Sequence, residues 1–203
     1  MNLKKMIFLS LVMCPLALPG LLVAAVVWDE AIDGSLSTAR QTPTDFGSLS
    51  VGSNDAIGTT VSGISKFFTF NIGANEELSA LIVEDWDSAD DLGFLGIVTG
   101  DTFTVDPANP NVTDLLGYVH YGELDVNQDI LPSMGQGPGS QGFTPPLGPG
   151  DYSFWVRQGG ADAATWDLNF VVTTPIPEPT AGWILCSGTI ALLTWWRSKR
   201  KPA

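Results

Sequence analysis

Alternation of apolar and polar residues is the dominant pattern in the middle of the chain. In 68–72, 152–156 and 166–172 every second residue is large and apolar, and most residues between them are polar. Because successive side chains of a strand point to opposite faces, this period of two predicts strands with one buried face. Two short apolar runs, 78–83 and 94–98, are typical of central strands.

Weaker strand candidates and turns complete this pattern. The weaker candidates are 49–51, 101–105 and 115–121. Glycine, proline and asparagine mark predicted turns at 73–75, 99–101, 107–110 and 148–151. About eight short strands with frequent turns predict an all-β fold, an antiparallel β-sandwich. The glycine- and proline-rich stretch 131–150 has no period, and we predict a long surface loop there.

One turn and strand carries a more specific pattern. Leu147, Gly150, Tyr152 and Phe154 are spaced as Leu-x-x-Gly-x-Tyr-x-Phe. This segment resembles a motif of secreted jelly-roll sandwiches, including bacterial pre-peptidase C-terminal domains. The resemblance implies a jelly-roll-like sandwich and assigns no ligand.

The amino-terminal end has the features of a secretory signal peptide. Lys4 and Lys5 precede the apolar run 6–18, and small residues at 24–25 favour cleavage after Ala25. We therefore predict a signal peptide over 1–25. A lipoprotein signal would use Cys14, but the bulky Met13 precedes it.

The carboxyl-terminal end contains a second apolar run. Residues 181–196 carry no charge, with Trp183 near the start and Trp195 and Trp196 at the end, and the basic cluster 197–201 follows. At ~1.5 Å per residue the run is about 24 Å long, short against a hydrocarbon core of ~30 Å. Interfacial tryptophans and the positive-inside rule nevertheless predict a single transmembrane helix with the cations in the cytoplasm. The alternative is a buried core helix, but such a helix rarely ends in a basic cluster.

A short proline motif precedes this predicted helix. Pro177, Glu178 and Pro179 form an extended segment, since proline fixes φ and has no N–H to donate. With 181–196 and 197–201, the motif resembles the PEP-CTERM sorting signal of Gram-negative bacteria. The resemblance implies recognition by exosortase, a membrane-embedded transpeptidase that cleaves the tail and passes the protein to the cell surface. We therefore expect a sorting signal over 175–203 and an exported domain over 26–174.

Composition narrows the chemistry of the exported domain. Both cysteines, Cys14 and Cys186, fall in the apolar ends, so 26–174 has neither disulfides nor thiolate metal ligands. All 22 acidic residues lie between Asp29 and Glu178, together with only three of the nine basic residues. An acidic surface of this kind repels nucleic acid, so we expect no nucleic-acid partner.

No catalytic set stands out in the sequence. His120 is the only histidine, it lies in a strand-like stretch, and no Gly-x-Ser-x-Gly motif accompanies it. Carboxylate pairs for a glycosidase are always available among 22 acids, so they carry little information. We expect a protein that is not an enzyme. Trp86 and Trp155 are candidates for an aromatic cleft in the alternative, a carbohydrate-binding or carbohydrate-cleaving module.

Calcium is the candidate ligand that the acidic residues favour. Asp125, Asn127 and Asp129 place oxygen side chains at alternate positions, as at the start of an EF-hand loop. Ile130 and Gln136 then depart from that motif, so the candidate Ca²⁺ site is not an EF-hand. The acidic stretch 84–91 is a second candidate, and solvated acidic loops are the alternative at both places.

These observations together predict an exported, non-catalytic structural or adhesive protein. Its expected partners are exosortase, the inner membrane through 181–196 before processing, and exopolysaccharide. The expected location is a transient inner-membrane anchor, followed by the cell surface or the extracellular matrix.

Overall fold

The structure, a computed structural model, describes residues 24–175. Within this range the chain is mainly β, with nine strands, two short α-helices and two 3₁₀ turns. The strands are β1 (Ala25–Asp29), β2 (Thr44–Ser48), β3 (Gly52–Thr60), β4 (Ser65–Ile72), β5 (Glu77–Asp87), β6 (Gly93–Thr99), β7 (Gly117–Tyr121), β8 (Gly150–Gln158) and β9 (Ala164–Thr173). The helices are α1 (Glu30–Asp33) and α2 (Leu131–Gly135), and the 3₁₀ turns are Val112–Asp114 and Glu123–Asp125.

The predicted targeting segments fall largely outside these residues. The predicted signal peptide up to residue 23 and the sorting segments from 177 onward lie outside the described residues. The predicted cut after Ala25 falls at the start of β1, where Ala25 pairs with Asn54. Within 24–175, no helix combines the length and the apolar character needed to cross a bilayer.

The strands form two mixed sheets. One has four strands in the order β1-β3-β9-β5, and the other has five in the order β2-β4-β8-β6-β7. The predicted antiparallel arrangement is only partly confirmed. Five of the seven strand pairs are antiparallel, but β1 pairs parallel with β3 and β2 parallel with β4. Between the two partners of each parallel pair, the chain crosses to the other sheet and back, so it re-enters in the same direction.

The five segments with the clearest sequence patterns are all strands, which confirms those predictions.

Both sheets contribute to one hydrophobic core. Phe68 and Phe154 stack with centroids 5.0 Å apart in one sheet, and Phe170 of the other sheet lies 5.5 Å from Phe154. All three rings are fully buried. At about 1.5–3 kcal/mol for each buried large side chain, such residues dominate the stability of a domain without disulfides.

A smaller core covers the outer face of the five-stranded sheet. Its members are Phe67, Val98, Phe103, Val105, Leu115 and Trp155. Phe103 and Val105 come from 101–105, which was predicted as a strand but is irregular backbone that packs across the sheet. The candidate strand 49–51 is likewise wrong, since it is the connection between β2 and β3, with Leu49 buried.

The sequence predicts a long surface loop over 131–150, but the structure shows that part of this stretch is buried. Leu131 and Met134 of α2 are fully buried, and Leu147 forms an isolated bridge with Leu78 of β5. These apolar residues are too widely spaced to show a strand or helix period. They nevertheless attach the segment to the core at both ends.

Strand β3 escaped sequence prediction because its buried face is made of small and polar residues. Asn54, Ala56 and Thr60 are buried on that strand. A Cβ at Gly58 would lie 2.5 Å from Cζ2 of Trp166, so only glycine leaves room for that ring on β9. Large apolar side chains of β9 thus supply the hydrophobic surface that β3 lacks.

An ion pair anchors α1 to the body of the fold. Lys66 Nζ on β4 donates to Glu30 Oε1 at 2.7 Å and to Oε2 at 2.9 Å, and the two side chains are only 9% and 8% exposed. The same carboxylate accepts from the backbone N–H of Leu36 and of Thr59, each at 2.7 Å. Burial alone would raise the pKa of Glu30, but these hydrogen bonds together, led by that from Lys66, lower it.

We expect Lys66→Met to lower the free energy of unfolding by about 3 kcal/mol, because it leaves a buried carboxylate without its cation. The double variant Glu30→Gln/Lys66→Met removes both charges and should recover part of that loss. Urea unfolding of the single and double variants measures both values. A cost below about 1 kcal/mol for Lys66→Met, as for an exposed pair, would contradict the role assigned to this contact.

Candidate functional site

The candidate calcium residues lie on a segment that runs along β5. Asn127 N donates to Val83 O at 2.7 Å, and Ile82 and Asp129 form an isolated bridge. Asp129 Oδ1 accepts from the backbone N–H of Leu81 at 2.9 Å and of Leu131 at 3.0 Å. This carboxylate therefore joins the segment to β5 and to the start of α2.

The other two candidate ligands have local backbone roles. Asp125 Oδ2 accepts from Gly122 N at 2.9 Å and closes the 3₁₀ turn. Asn127 has a φ of 64°, a left-handed conformation that asparagine tolerates better than most residues. Within the part of the chain that the structure describes, no three His, Cys, Asp or Glu side chains are placed to hold a metal ion. Calcium binding at these three residues stays a prediction.

The second acidic candidate, 84–91, also fastens loops together. Asp90 Oδ2 accepts from Ala161 N at 2.7 Å and from Asp162 N at 2.9 Å. Asp91 Oδ1 accepts from Glu123 N at 2.8 Å. These two carboxylates therefore hold together the loops at this end of the sheets by accepting backbone hydrogen bonds.

Carboxylates also gather on the outer face of the four-stranded sheet. Asp167 of β9 pairs with Asp85 of β5, and Asp55 of the neighbouring β3 faces the same side. Burial, followed by repulsion from Asp55, Glu84 and Asp85 and more weakly from Asp29, raises the pKa of Asp167 to about 6. One carboxylate oxygen of Asp167 and one of Asp55 are buried without a hydrogen-bond partner among the described residues.

The opposite surface of the molecule carries an aromatic pocket. Phe94 of β6, Tyr118 of β7 and Trp155 of β8 line a pocket of about 190 Å³ on the outer face of the five-stranded sheet. The Phe94 ring lies 4.6 Å from Trp155 and 5.9 Å from Tyr118, measured between centroids. The remaining lining residues are Pro110, Val112 and Leu115.

The two tryptophans proposed from the sequence do not share a cleft. Trp86 is 5% exposed and packs edge-on against Tyr121 in the core between the sheets. Trp155 is on the outer face of the other sheet, in the smaller core, where it is 4% exposed and lines the pocket. The pairing of Trp86 with Trp155 is therefore wrong, and Trp155 instead shares its pocket with Phe94 and Tyr118.

The outward positions of Phe94 and Tyr118 could be recognised from the sequence. Phe94 and Tyr118 occupy alternate positions of their strands whose neighbours, such as Leu95 and Val119, are buried in the core. An aromatic residue at an outward position of an antiparallel strand pair indicates a covered or binding face. Exposed His120 continues this row, with its ring 5.4 Å from that of Phe94.

Comparison with known proteins identifies no family for the chain: no family model matches it, and no curated protein is significantly similar.

We expect Asp167→Asn to stabilise the protein at pH 8 by about 1 kcal/mol, after allowance for solvent screening. The ordinary pKa is 3.8 and the folded-state pKa is about 6, so between these values the folded state retains a proton that the unfolded state loses. The free energy of unfolding therefore falls as pH rises through this window, and the loss is complete above pH 6.

Urea unfolding of the wild type and of Asp167→Asn at pH 4 and pH 8 tests this expectation. The two proteins should be alike at pH 4 and differ at pH 8. Asp101→Asn removes an exposed carboxylate and is the matched control. A lower stability of Asp167→Asn at pH 8 would show that the crowding of these carboxylates has been misjudged.

Proposed function

We propose that the protein is an exported, non-catalytic structural or adhesive protein of the cell surface or extracellular matrix. In this proposal the two sheets form a jelly-roll-like sandwich, and the tail is a PEP-CTERM-type signal that exosortase processes. One observation carries the proposal: a proline motif at 177–179, an apolar run at 181–196 and a basic cluster at 197–201 follow one another in that order. The predicted signal peptide over 1–25 supports the same direction of export.

Each part of the tail has a physical role in this scheme. The apolar run holds the protein in the inner membrane, and the basic cluster keeps its end in the cytoplasm. Pro177 and Pro179 have no N–H to donate to a sheet or helix, so Glu178 stays accessible to an enzyme at the outer membrane face. Removal of the tail then releases the domain to the surface.

The sorting proposal predicts three different fates for three versions of the full-length protein. The wild type should reach the cell surface or medium with its tail removed. Pro177→Ala/Glu178→Gln/Pro179→Ala should keep the membrane anchor and remain unprocessed in the inner membrane. Deletion of 177–203 should release an unanchored protein.

Cell fractionation with detection of the mature domain measures these fates. Thr180→Ala, just outside the motif, is the matched control and should behave as the wild type does. An identical distribution of the wild type and the triple variant would reject the sorting motif. Retention of the deletion variant in the membrane would reject the anchor.

The aromatic pocket favours a second candidate function, carbohydrate binding. Phe94, Tyr118 and Trp155 line one pocket with Pro110 nearby. Aromatic rings pack against the apolar faces of sugar rings, and a polar rim orients the hydroxyl groups. Tyr118 supplies one such polar group, since its hydroxyl donates to Pro138 O at 3.0 Å and has lone pairs left to accept from a ligand.

We expect Tyr118→Ala to weaken binding of a neutral glycan by about three- to tenfold, the value of one aromatic contact. A glycan array with the wild-type protein identifies the glycan, and titration of both proteins with it measures the ratio. Leu124→Ala is the control, because Leu124 is 90% exposed and lies outside the pocket. Absence of any glycan binding by the wild type would leave the structural function alone.

A further inference from the structure

The three basic residues of the described chain have different environments. Lys66 is buried in its ion pair with Glu30, so its charge is already compensated. Arg40 and Arg157 have no acidic partner within 4 Å among residues 24–175, and both line the same cleft. The two basic side chains without an acidic partner therefore line a single cleft in a domain that is otherwise rich in acids.

The cleft lies between three connecting segments and the carboxyl-terminal end of β8. Its lining comes from 38–41, 63–65 and 106–108, with Phe67 and Arg157 contributed by the sheet. Its volume is about 870 Å³, well within the range of small-molecule sites. None of its lining residues belongs to the aromatic pocket.

The Arg40 side chain is held in place by the loop that covers the sheet. Its Nη1 donates to Thr104 O at 2.8 Å and to Phe103 O at 3.3 Å. The carbonyl groups use one nitrogen and fix the plane of the guanidinium. The other nitrogens make no hydrogen bond within the described residues, so they are available to a ligand.

Arg157 lines the cleft with a guanidinium that has no acidic partner within the described residues. Its Nε–H is buried and has no hydrogen-bond partner among residues 24–175. A buried donor left without an acceptor costs about 1–3 kcal/mol. The two Nη groups of the same guanidinium are not buried in this way and make no hydrogen bond within residues 24–175, so they can donate charge-assisted hydrogen bonds to a ligand oxygen in the cleft.

We propose that this cleft binds a single carboxylate group carried on an otherwise uncharged body, with sugar acids as the ligand class. A guanidinium presents its N–H groups as a planar fork that matches the two oxygens of a carboxylate. The size of the cleft suits a body of one or two sugar rings, and Ser65 adds a hydroxyl to the lining.

Charge argues against more highly charged ligands. Asp106 also lines the cleft and offsets one of the two cations. The rest of the domain is strongly acidic, so nucleic acids and other polyanions are repelled before they reach the site. One anionic group on a neutral carrier avoids that repulsion. The inference uses neither the sorting tail nor the aromatic pocket, so it stands apart from both functions proposed above.

The test is a titration of the full-length protein, kept in a non-ionic detergent, with glucuronate. Saturation-transfer NMR or calorimetry measures the binding. Glucuronamide is the matched neutral probe, with the same ring and no charge. Inorganic phosphate is the second anion. We expect glucuronate to bind at least tenfold more tightly than either, with an affinity that falls as salt is added.

Two variants connect this binding to the cleft. Arg157→Gln should weaken glucuronate binding roughly tenfold or more, because a charge-assisted hydrogen bond is lost. Asp106→Asn should strengthen it about two- to fivefold, because a nearby like charge is removed. Asp106 is exposed and its Oδ1 accepts from Ala108 N, a bond that asparagine can keep, so this variant tests the site even if Arg157→Gln fails to fold.

Several results would overturn the proposal. Equal binding of glucuronate and glucuronamide would show that charge is not recognised. Preferential binding of phosphate would assign the cleft to a different anion. Unchanged glucuronate affinity in Asp106→Asn would place the binding outside this cleft, and no binding of any probe would mean that the cleft holds only water.

Discussion

The contact of Phe68, Phe70 and Phe154 with Phe170 joins the two sheets, and the rest of the structure depends on it. Phe170 lies within 5.0–5.9 Å of the other three rings, and each of the four is at most 1% exposed. Between Asp29 and Glu178 there is no cysteine, so no disulfide can replace this packing. Apolar burial must therefore outweigh the conformational entropy of a chain whose strands alternate repeatedly between sheets.

Along each strand, side chains alternate between the core and the outer face, so the residues that build the core also fix which residues face outward. On β9, Trp166 and Leu168 point into the core, so Asp167 between them must face outward. On β8, Phe154 and Val156 are inward, which sends Trp155 to the opposite side. One outer face is thus acidic and the other aromatic, and residues from the connection between β6 and β7 cover part of the aromatic face.

The charged side chains of the described residues fall into three environments. Most acids are surface residues or accept hydrogen bonds from backbone N–H groups, as Asp90 and Asp129 do. Glu30 is the exception that is paired with a buried cation, and this pair attaches α1 to β3 and β4. The two arginines of the described residues, Arg40 and Arg157, line one cleft, where the loop after β6 holds Arg40. Their placement is the basis of the proposed anion site.

The sequence by itself determined the mainly β fold and the strongest strands, and it predicts the export signals, because these features are local. A period of two in 166–172, an apolar run or a proline pair needs no partner to be recognised. Strand β3, the packing of Phe103 and Val105, and the mixed pairing of the sheets depend on contacts between distant segments, which local pattern does not encode. The calcium triplet shows the same limit: Asp125, Asn127 and Asp129 have ligand-like spacing, yet in the tertiary structure Asp129 accepts a hydrogen bond from the distant backbone N–H of Leu81. Only tertiary structure brought Arg40 and Arg157 to one cleft, because the distance between side chains far apart in sequence is set by sheet packing rather than by the order of residues.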